Sequence, residues 1–213
     1  MSNITVIGGN GYTGSAVVAE ARERGHSVTV VSRSATDDPI AGVTYVVGSA
    51  LDGAVLDKAF EGADAVVVAT SSRGGEAQAQ PSLANLLIER AEATGVRLLV
   101  VGGYSSLRPA PGEQRFVEAG VAEQYRAEAE AGHASFEALL GSPEQVNWTF
   151  FSPAAHYGSW IEGGPSGNYR LGGEVAILDE SGSSFLHADD LADALLDIFE
   201  SGDHVRDHVS VVS

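Results

Sequence analysis

The sequence predicts an α/β fold with one doubly wound parallel sheet. Short runs rich in β-branched residues alternate with longer segments rich in Ala, Glu and Leu, a pattern typical of parallel strands joined by crossover helices. The first apolar run leads directly into a glycine-rich stretch, GGNGYTG at 8–14, and then into an amphipathic helical pattern. The 213 residues suffice for one core and are few for two, so we expect 1–213 to form a single domain.

The alternation assigns each element in order. The predicted strands are 4–7, 27–32, 43–47, 65–69, 97–101, 146–151 and 208–212. The predicted helices are 12–24, 55–60, 82–94, 121–140 and 188–200.

One region, 152–182, breaks this alternation and is rich in Gly, Ser, Pro and aromatic residues. It contains NYRLGGEVAIL, a predicted hairpin that turns at Gly172 and Gly173. Ligands of open α/β sheets bind beyond the carboxyl ends of the strands. We therefore expect this irregular insertion to form a small C-terminal lid on the substrate side.

The composition excludes several classes of function. A formal net charge of −17, from 12 basic and 29 acidic residues, disfavours nucleic acid and anionic membrane surfaces as partners. The absence of cysteine excludes disulfides and thiolate catalysis, and no cluster of His, Asp and Glu has metal-ligand spacing, so we expect no metal. Without a leader-like segment or an apolar run of about 18 residues, we expect a cytoplasmic monomer or homodimer that acts on a small molecule.

The glycines of the loop meet the demands of a dinucleotide site. Gly8 permits a tight strand-to-helix turn, Gly11 lets the backbone approach a pyrophosphate, and Gly14 lets the helix pack closely on the strand. The anion would rest on the N–H groups at the helix start. A turn of purely structural role is the alternative. We predict a dinucleotide-binding loop made of Gly8, Gly9, Asn10, Gly11, Tyr12, Thr13 and Gly14.

The end of the second predicted strand indicates which dinucleotide binds. NAD-selective proteins usually place Asp or Glu here for the ribose 2′-hydroxyl, whereas this chain has Ser32, Arg33 and Ser34. A guanidinium flanked by hydroxyls matches a 2′-phosphate through two parallel N–H contacts. A solvated surface arginine is the alternative. We predict that NADP(H) is preferred over NAD(H).

Six motifs, in this order, carry a family likeness: GGNGYTG, ADAVVVAT, RLLVVGGYSSL, NWTFFSPAA, GNYRLGG and HADDLADALLD. Together they span nearly the whole chain. The chain resembles the atypical short-chain dehydrogenases/reductases, in particular the small NAD(P)H-binding proteins of the NADH-flavin reductase, biliverdin reductase B and NmrA-like groups. The resemblance implies a single Rossmann-like NAD(P)-binding domain.

The resemblance also implies roles for residues that follow the strands. The glycine loop would cradle the pyrophosphate and Arg33 the 2′-phosphate, while the cofactor's ribose and nicotinamide side would be lined by Ala69, Thr70 and Ser71. GGYSSL stands where those enzymes carry a serine facing the nicotinamide, which corresponds here to Ser105 or Ser106, or is replaced by Tyr104. SPAAHY stands at their Pro-Pro-His stretch and points to Pro153 on the cofactor side and His156 on the substrate side.

The sequence lacks the Tyr-x-x-x-Lys pair with which typical members protonate a carbonyl oxygen. Lys58 is the only lysine, and no tyrosine precedes it by four residues. Tyr125 has Ala in the lysine position, and Tyr104 has Arg108 there, next to a proline that disfavours a helix.

Flavin reduction needs no such pair, because the protein mainly holds two flat rings in contact. We expect an NADPH-dependent oxidoreductase that passes hydride to a planar acceptor, with free FMN or FAD and quinone-like compounds as candidates. His156, Tyr157 and Trp160 are candidates for a stacking surface. The alternatives are a non-catalytic NADP(H)-binding regulator of the NmrA type and an epimerase or isomerase on the same fold.

Overall fold

Eight strands form a mostly parallel sheet in the order β3-β2-β1-β4-β5-β6-β8-β7. The computed structural model describes residues 1–71 and 79–213. All neighbouring strands run parallel except β7, which pairs antiparallel with β8. The strands are β1 (Asn3–Ile7), β2 (Ser27–Ser32), β3 (Val43–Val47), β4 (Ala65–Val68), β5 (Arg97–Val101), β6 (Trp148–Pro153), β7 (Arg170–Gly172) and β8 (Asp207–Val212).

The described part of the chain contains six α-helices, which cover both faces of the sheet. They are α1 (Tyr12–Glu23), α2 (Gly53–Phe60), α3 (Gln80–Thr94), α4 (Phe116–Ala119), α5 (Glu123–Leu140) and α6 (Ala188–Ser201). Alternate strand residues point to opposite faces, so Val67 packs with α1 and α6, while Val66 packs with α2, α3 and α5. The predicted doubly wound sheet is confirmed. None of the described helices is long and apolar enough to cross a membrane.

The structure corrects the predicted hairpin at 168–178. The residues Arg170–Gly172 pair with β8, with Leu171 opposite Val211. Beyond them the chain does not turn back: Val175 forms an isolated bridge to Arg108. The hairpin prediction is wrong because the free edge of β8, and the backbone of Arg108, offer these residues partners far away in sequence.

The order of the strands locates a crevice. The chain builds the sheet outward from β1 to β2 and β3, and then resumes on the other side of β1 with β4. Connections that leave β1 and β4 therefore diverge to opposite faces, which is where open α/β sheets bind ligands. The glycine loop follows β1, and the residues 69–71 follow β4.

Candidate functional site

The glycine loop makes a turn that side chains would block. Gly8 has a φ of +86°, a backbone conformation that favours glycine, and a Cβ added there would lie 2.7 Å from the carbonyl oxygen of Ala69. A Cβ on Gly14 would lie 2.2 Å from the carbonyl oxygen of Gly8. On Gly9 it would lie 2.8 Å from Val30 Cγ1. The loop is therefore wedged between β4, β2 and the first turn of α1.

Gly11 differs from these three glycines because a Cβ there would make a tight contact but no severe overlap. A Cβ there would approach nothing closer than the Gly8 carbonyl oxygen, at 3.3 Å. Gly11 precedes α1 as its N-cap, and among the described residues no side chain caps this helix and no acidic residue lies in its first turn. The open backbone, the N–H groups of the first turn and the positive end of the helix dipole fit a pyrophosphate.

The loop is tied to the end of β2 by Asn10. Its amide nitrogen donates to Ser32 Oγ and to the carbonyl oxygen of Ser34, both at 3.1 Å. Arg33 stands between these two serines with an exposed side chain. The structure thus brings together the predicted pyrophosphate and 2′-phosphate residues.

The residues after β4 lie beside the same loop. The backbone N–H of Ala69 donates to the carbonyl oxygen of Ile7, 2.9 Å away. Thr70 Oγ1 accepts a hydrogen bond of 3.1 Å from the side-chain amide of Gln80, at the start of α3. Ser71 is exposed. These three residues therefore stand at the predicted cofactor side.

The residues after β5 form a 3-10 turn, Tyr104–Ser106. The Tyr104 ring stacks on Phe116 with centroids 4.9 Å apart, and burial raises the pKa of its hydroxyl, which stays protonated at neutral pH. Ser106 is 1% exposed, whereas Ser105 and Tyr104 remain partly exposed. Of the three residues predicted to face the nicotinamide, Tyr104 and Ser105 are accessible to a ligand.

A buried arginine supports this turn. Arg115, 6% exposed, donates to the carbonyl oxygen of Ser106 at 2.6 Å and to Glu174 Oε2 at 2.8 Å. Arg108 donates to the same carboxylate oxygen at 2.9 Å, and this bond holds the pKa of Glu174 below its usual value. Sequence reasoning missed both residues, because Arg115 lies outside every motif and the segment that contains Glu174 was read only as a hairpin.

The carbonyl oxygen of Gly103 is held by a relay that begins on β8. It accepts a 2.9 Å hydrogen bond from Ser152 Oγ, which also lies 2.8 Å from His208 Nε2. A hydroxyl has one proton, so Ser152 must accept from His208, which fixes the tautomer with the proton on Nε2. Burial lowers the pKa of His208 to about 4, and its Nδ1 has no partner within the described residues. A polar residue in the apolar run DHVSVV was the available signal for this histidine.

His156 follows β6 by three residues, and its backbone pairs with the segment 184–186. Its N–H donates to Ser184 and its carbonyl accepts from Leu186. Its ring stacks on Phe185, with centroids 4.6 Å apart and planes at 16°, and both rings are exposed. Sequence reasoning missed Phe185. Pro153, in contrast, is the buried last residue of β6.

The three aromatic residues predicted as one stacking surface have separate contacts. His156 faces Phe185, and Trp160 lies against Gly158, where an added Cβ would be 2.1 Å from the indole. Tyr157 turns instead to the glycine loop. Its hydroxyl bonds that of Thr13 at 2.6 Å, and its ring lies 5.4 Å from that of Tyr12. The segment after β6 is thereby fixed against the start of α1.

The carboxyl ends of β1, β4, β5 and β6 meet at one edge of the sheet. Comparisons with known proteins show the family to which this fold belongs. A sequence profile described as NAD(P)H-binding matches residues 8–201. The uncharacterized protein YwnB of Bacillus subtilis is 30% identical over 214 residues, covering 99% of this chain and 98% of its own length.

Solved structures agree over the whole chain. A presumed NADH-flavin reductase of Streptococcus pneumoniae is 28% identical, with a TM-score of 0.88 and 100% of both chains covered. A presumed epimerase of Bacteroides thetaiotaomicron is 30% identical, with a TM-score of 0.86 over 99% of this chain and 96% of its own. With its glycine loop, switch-point crevice and Rossmann-like sheet, the chain belongs to the NAD(P)H-binding family.

Proposed function

We propose that the protein is an NADPH-dependent reductase that passes hydride to a planar acceptor such as free FMN or FAD, or a quinone-like compound. The observation that carries the proposal is the Thr13–Tyr157 hydrogen bond, because it joins the segment after β6 to the predicted pyrophosphate loop. The residues that contact the nicotinamide and those that contact the acceptor would then lie at the same edge of the sheet. The irregular region 152–182 serves as the substrate-side lid.

Arg33 supports NADPH as the preferred donor. It is exposed at the end of β2 between two serines, and a guanidinium binds a phosphate through paired N–H contacts. No acidic residue stands there to receive a ribose 2′-hydroxyl. The similar Streptococcus pneumoniae protein is named for NADH. A preference for NADPH, based on Arg33, would therefore distinguish this chain from that protein.

Different residues at this edge of the sheet would contact the cofactor and the acceptor. A bound nicotinamide would supply the hydride, and the acceptor would gain its second hydrogen as a proton from solvent. Ala69, Thr70 and Ser71 would line the cofactor side, and the buried Pro153 would support it from the end of β6. The protonated Tyr104 hydroxyl and Ser105 can donate to an acceptor oxygen, and Ser106 braces the turn beneath them. The stacked rings of His156 and Phe185 offer a flat surface to the acceptor.

The test is NADPH oxidation, followed by absorbance, with and without FMN, and with NADH in parallel. FMN-dependent oxidation that is faster with NADPH supports both the reaction class and the role of Arg33. Absence of oxidation, in a sample where NADPH binding is measured directly, contradicts the reductase proposal.

Two variants locate the acceptor site. Tyr104→Phe and His156→Ala should lower turnover about tenfold, the loss of one ordinary contact to the acceptor, while the NADPH dissociation constant changes less than about twofold. Tyr125→Phe is the matched control, because Tyr125 is an exposed tyrosine of α5 to which the proposal gives no role. A collapse of NADPH affinity in either variant would contradict this assignment.

One observation favours a second candidate, an epimerase. The similar Bacteroides thetaiotaomicron protein is a presumed epimerase at 30% identity over nearly the whole chain. An epimerase returns the hydride to its product, so it shows no net loss of NADPH. NADPH binding without acceptor-dependent oxidation would therefore favour this class, or a cofactor-binding regulator.

A further inference from the structure

We propose that Asn10 is a specificity-determining positioning residue, whose side-chain amide holds the turn 32–34 in the shape that presents Arg33 to the 2′-phosphate of NADP(H). This inference rests on the proposed preference for NADPH. It assigns to a glycine-loop side chain a task at the adenosine end of the cofactor, distinct from the task of the loop backbone at the pyrophosphate.

Three hydrogen bonds close a small triangle at the end of β2. Asn10 Nδ2 donates to Ser32 Oγ and to the Ser34 carbonyl oxygen, each at 3.1 Å. Ser32 Oγ donates to that same carbonyl oxygen at 2.7 Å. Arg33 is the residue enclosed by the two anchored serines.

The donors and acceptors fix the orientation of the Asn10 amide. The Ser34 carbonyl accepts only, and the single proton of Ser32 is already given to it, so both atoms facing Asn10 need a donor. The NH₂ group supplies two N–H bonds, and a flipped amide would set its oxygen against two oxygens. Both donors of Asn10 are therefore used inside the protein and stabilise the turn.

The triangle matters because it holds the turn at the point where β2 ends. The Ser32 carbonyl oxygen accepts from the Gly48 N–H, which ties the end of β2 to the end of β3. Beyond it, Arg33 and Ser34 are exposed. An arginine loses much side-chain freedom on binding, and a turn already in its bound shape reduces that loss.

The effect is on specificity because the two cofactors differ only at this place. The pyrophosphate, common to NADH and NADPH, meets the backbone of the glycine loop and the start of α1. The 2′-phosphate exists only in NADPH. Loss of the Asn10 side chain should weaken NADPH binding and spare NADH, whereas a general distortion of the loop would weaken both.

The experiment measures dissociation constants for NADPH and NADH, and for 2′,5′-ADP against 5′-AMP, by titration calorimetry. The variants are Asn10→Ala, the near-isosteric Asn10→Leu, Arg33→Ala and the double variant with Asn10→Ala. The matched control is Asn3→Ala, because Asn3 is also exposed and donates to a backbone carbonyl, that of Gly62, at the start of β1.

We expect either Asn10 variant to raise the dissociation constant of NADPH about tenfold, the effect of one or two ordinary hydrogen bonds, and that of NADH less than about twofold. In the Arg33→Ala background, Asn10→Ala should add nothing. Asn3→Ala should leave both constants unchanged.

Three results would overturn the inference. Equal weakening of NADPH and NADH would make Asn10 a support of the glycine loop only, and no change would leave it without a role. A wild-type protein that binds NADH as tightly as NADPH would refute the proposed NADPH preference itself. The wild-type titration alone reveals this last case, so it is distinguishable from the first two.

Discussion

The hydroxyl oxygens of Thr13 and Tyr157 lie 2.6 Å apart, although 144 residues separate the two in the chain. Thr13 belongs to the first turn of α1, where a phosphate would bind, and Tyr157 belongs to the irregular segment after β6. Burial raises the pKa of Tyr157, so its hydroxyl is neutral in the working range of pH. The contact links the glycine loop to the segment proposed to face the substrate.

Removing this link should weaken cofactor binding. Tyr157→Phe and Thr13→Val are each expected to raise the NADPH dissociation constant about fivefold, as for the loss of one hydrogen bond of about 1 kcal/mol. The double variant should be little worse than either single one, since both remove the same bond. Tyr125→Phe serves as control. Effects of the two single variants that simply add would show that the bond does not couple these segments.

Alanine substitutions at Gly11 and Gly14 should have different effects, one mainly on NADPH binding and the other mainly on stability. Gly14→Ala places a methyl group 2.2 Å from the Gly8 carbonyl oxygen, which requires the loop to move, and we expect a loss of about 3 kcal/mol in unfolding free energy. Gly11→Ala meets nothing closer than 3.3 Å. This tight contact needs only a small shift, so Gly11→Ala should lose less stability than Gly14→Ala and bind NADPH at least about tenfold more weakly, because the methyl group covers the backbone that a pyrophosphate approaches. Denaturant unfolding and NADPH titration separate the two cases, and a Gly11→Ala protein with full affinity would contradict the proposed path of the pyrophosphate.

His208 should make the fold sensitive to mild acid. Its pKa is about 4 in the folded protein, below the ordinary 6.5 of an unfolded chain. As the pH falls from 6.5 toward 4, the unfolded chain takes up a proton that the folded protein does not, so this contribution to stability is complete above 6.5 and is lost on acidification. The expected loss is about 3 kcal/mol. Denaturant unfolding across this pH range measures it.

Two variants isolate the contribution of His208. His208→Gln keeps a side-chain N–H for Ser152 and cannot titrate, so its stability should fall less with acid than that of the wild type. Ser152→Ala removes the hydroxyl and leaves the imidazole buried, so it should keep the acid sensitivity. Parallel acid profiles for the wild type and His208→Gln would show that the histidine is not responsible.

Glu174 and Glu89 offer a matched pair of salt bridges that differ in burial. Glu174 pairs at 2.8 Å with Arg115, whose side chain is 7% exposed, whereas Glu89 pairs at 3.1 Å with Arg90, 21% exposed. Glu174→Ala leaves a buried guanidinium short of an acceptor, and we expect about 2 kcal/mol less unfolding free energy. Glu89→Ala, at the surface, should cost about 0.5 kcal/mol or less. Equal losses in urea unfolding would mean that Arg115 finds another partner.

The sequence predicted the structure best where it depends on contacts between residues close together in the chain. The glycine loop is such a place, because Gly8 and Gly14 contact each other within one turn. The strands and helices also followed from local periodicity, although β6 lies two residues later than expected. The sheet and its two covered faces were therefore predictable.

Contacts between distant parts of the chain escaped prediction. The segment 170–172 reads as half of a local hairpin, yet it pairs with β8. The relay from His208 through Ser152 to Gly103 joins three separate strand ends, and no local pattern marks it. The partner of His156, Phe185, follows a loop of glycines and serines. Such pairings depend on the sheet order, which periodicity does not reveal.

The place of β8 between β6 and β7 has a consequence for the order of assembly on the ribosome. Strands β1 to β5 emerge first and can pair in turn, so the half of the sheet with the glycine loop can form while synthesis continues. Strand β6 has an open edge until β8 has emerged, and only then can His208 reach Ser152 and orient the Gly103 carbonyl. The half of the sheet that contains β6 and β8 is therefore completed last, and until then the unpaired edge of β6 can form wrong contacts with other strands.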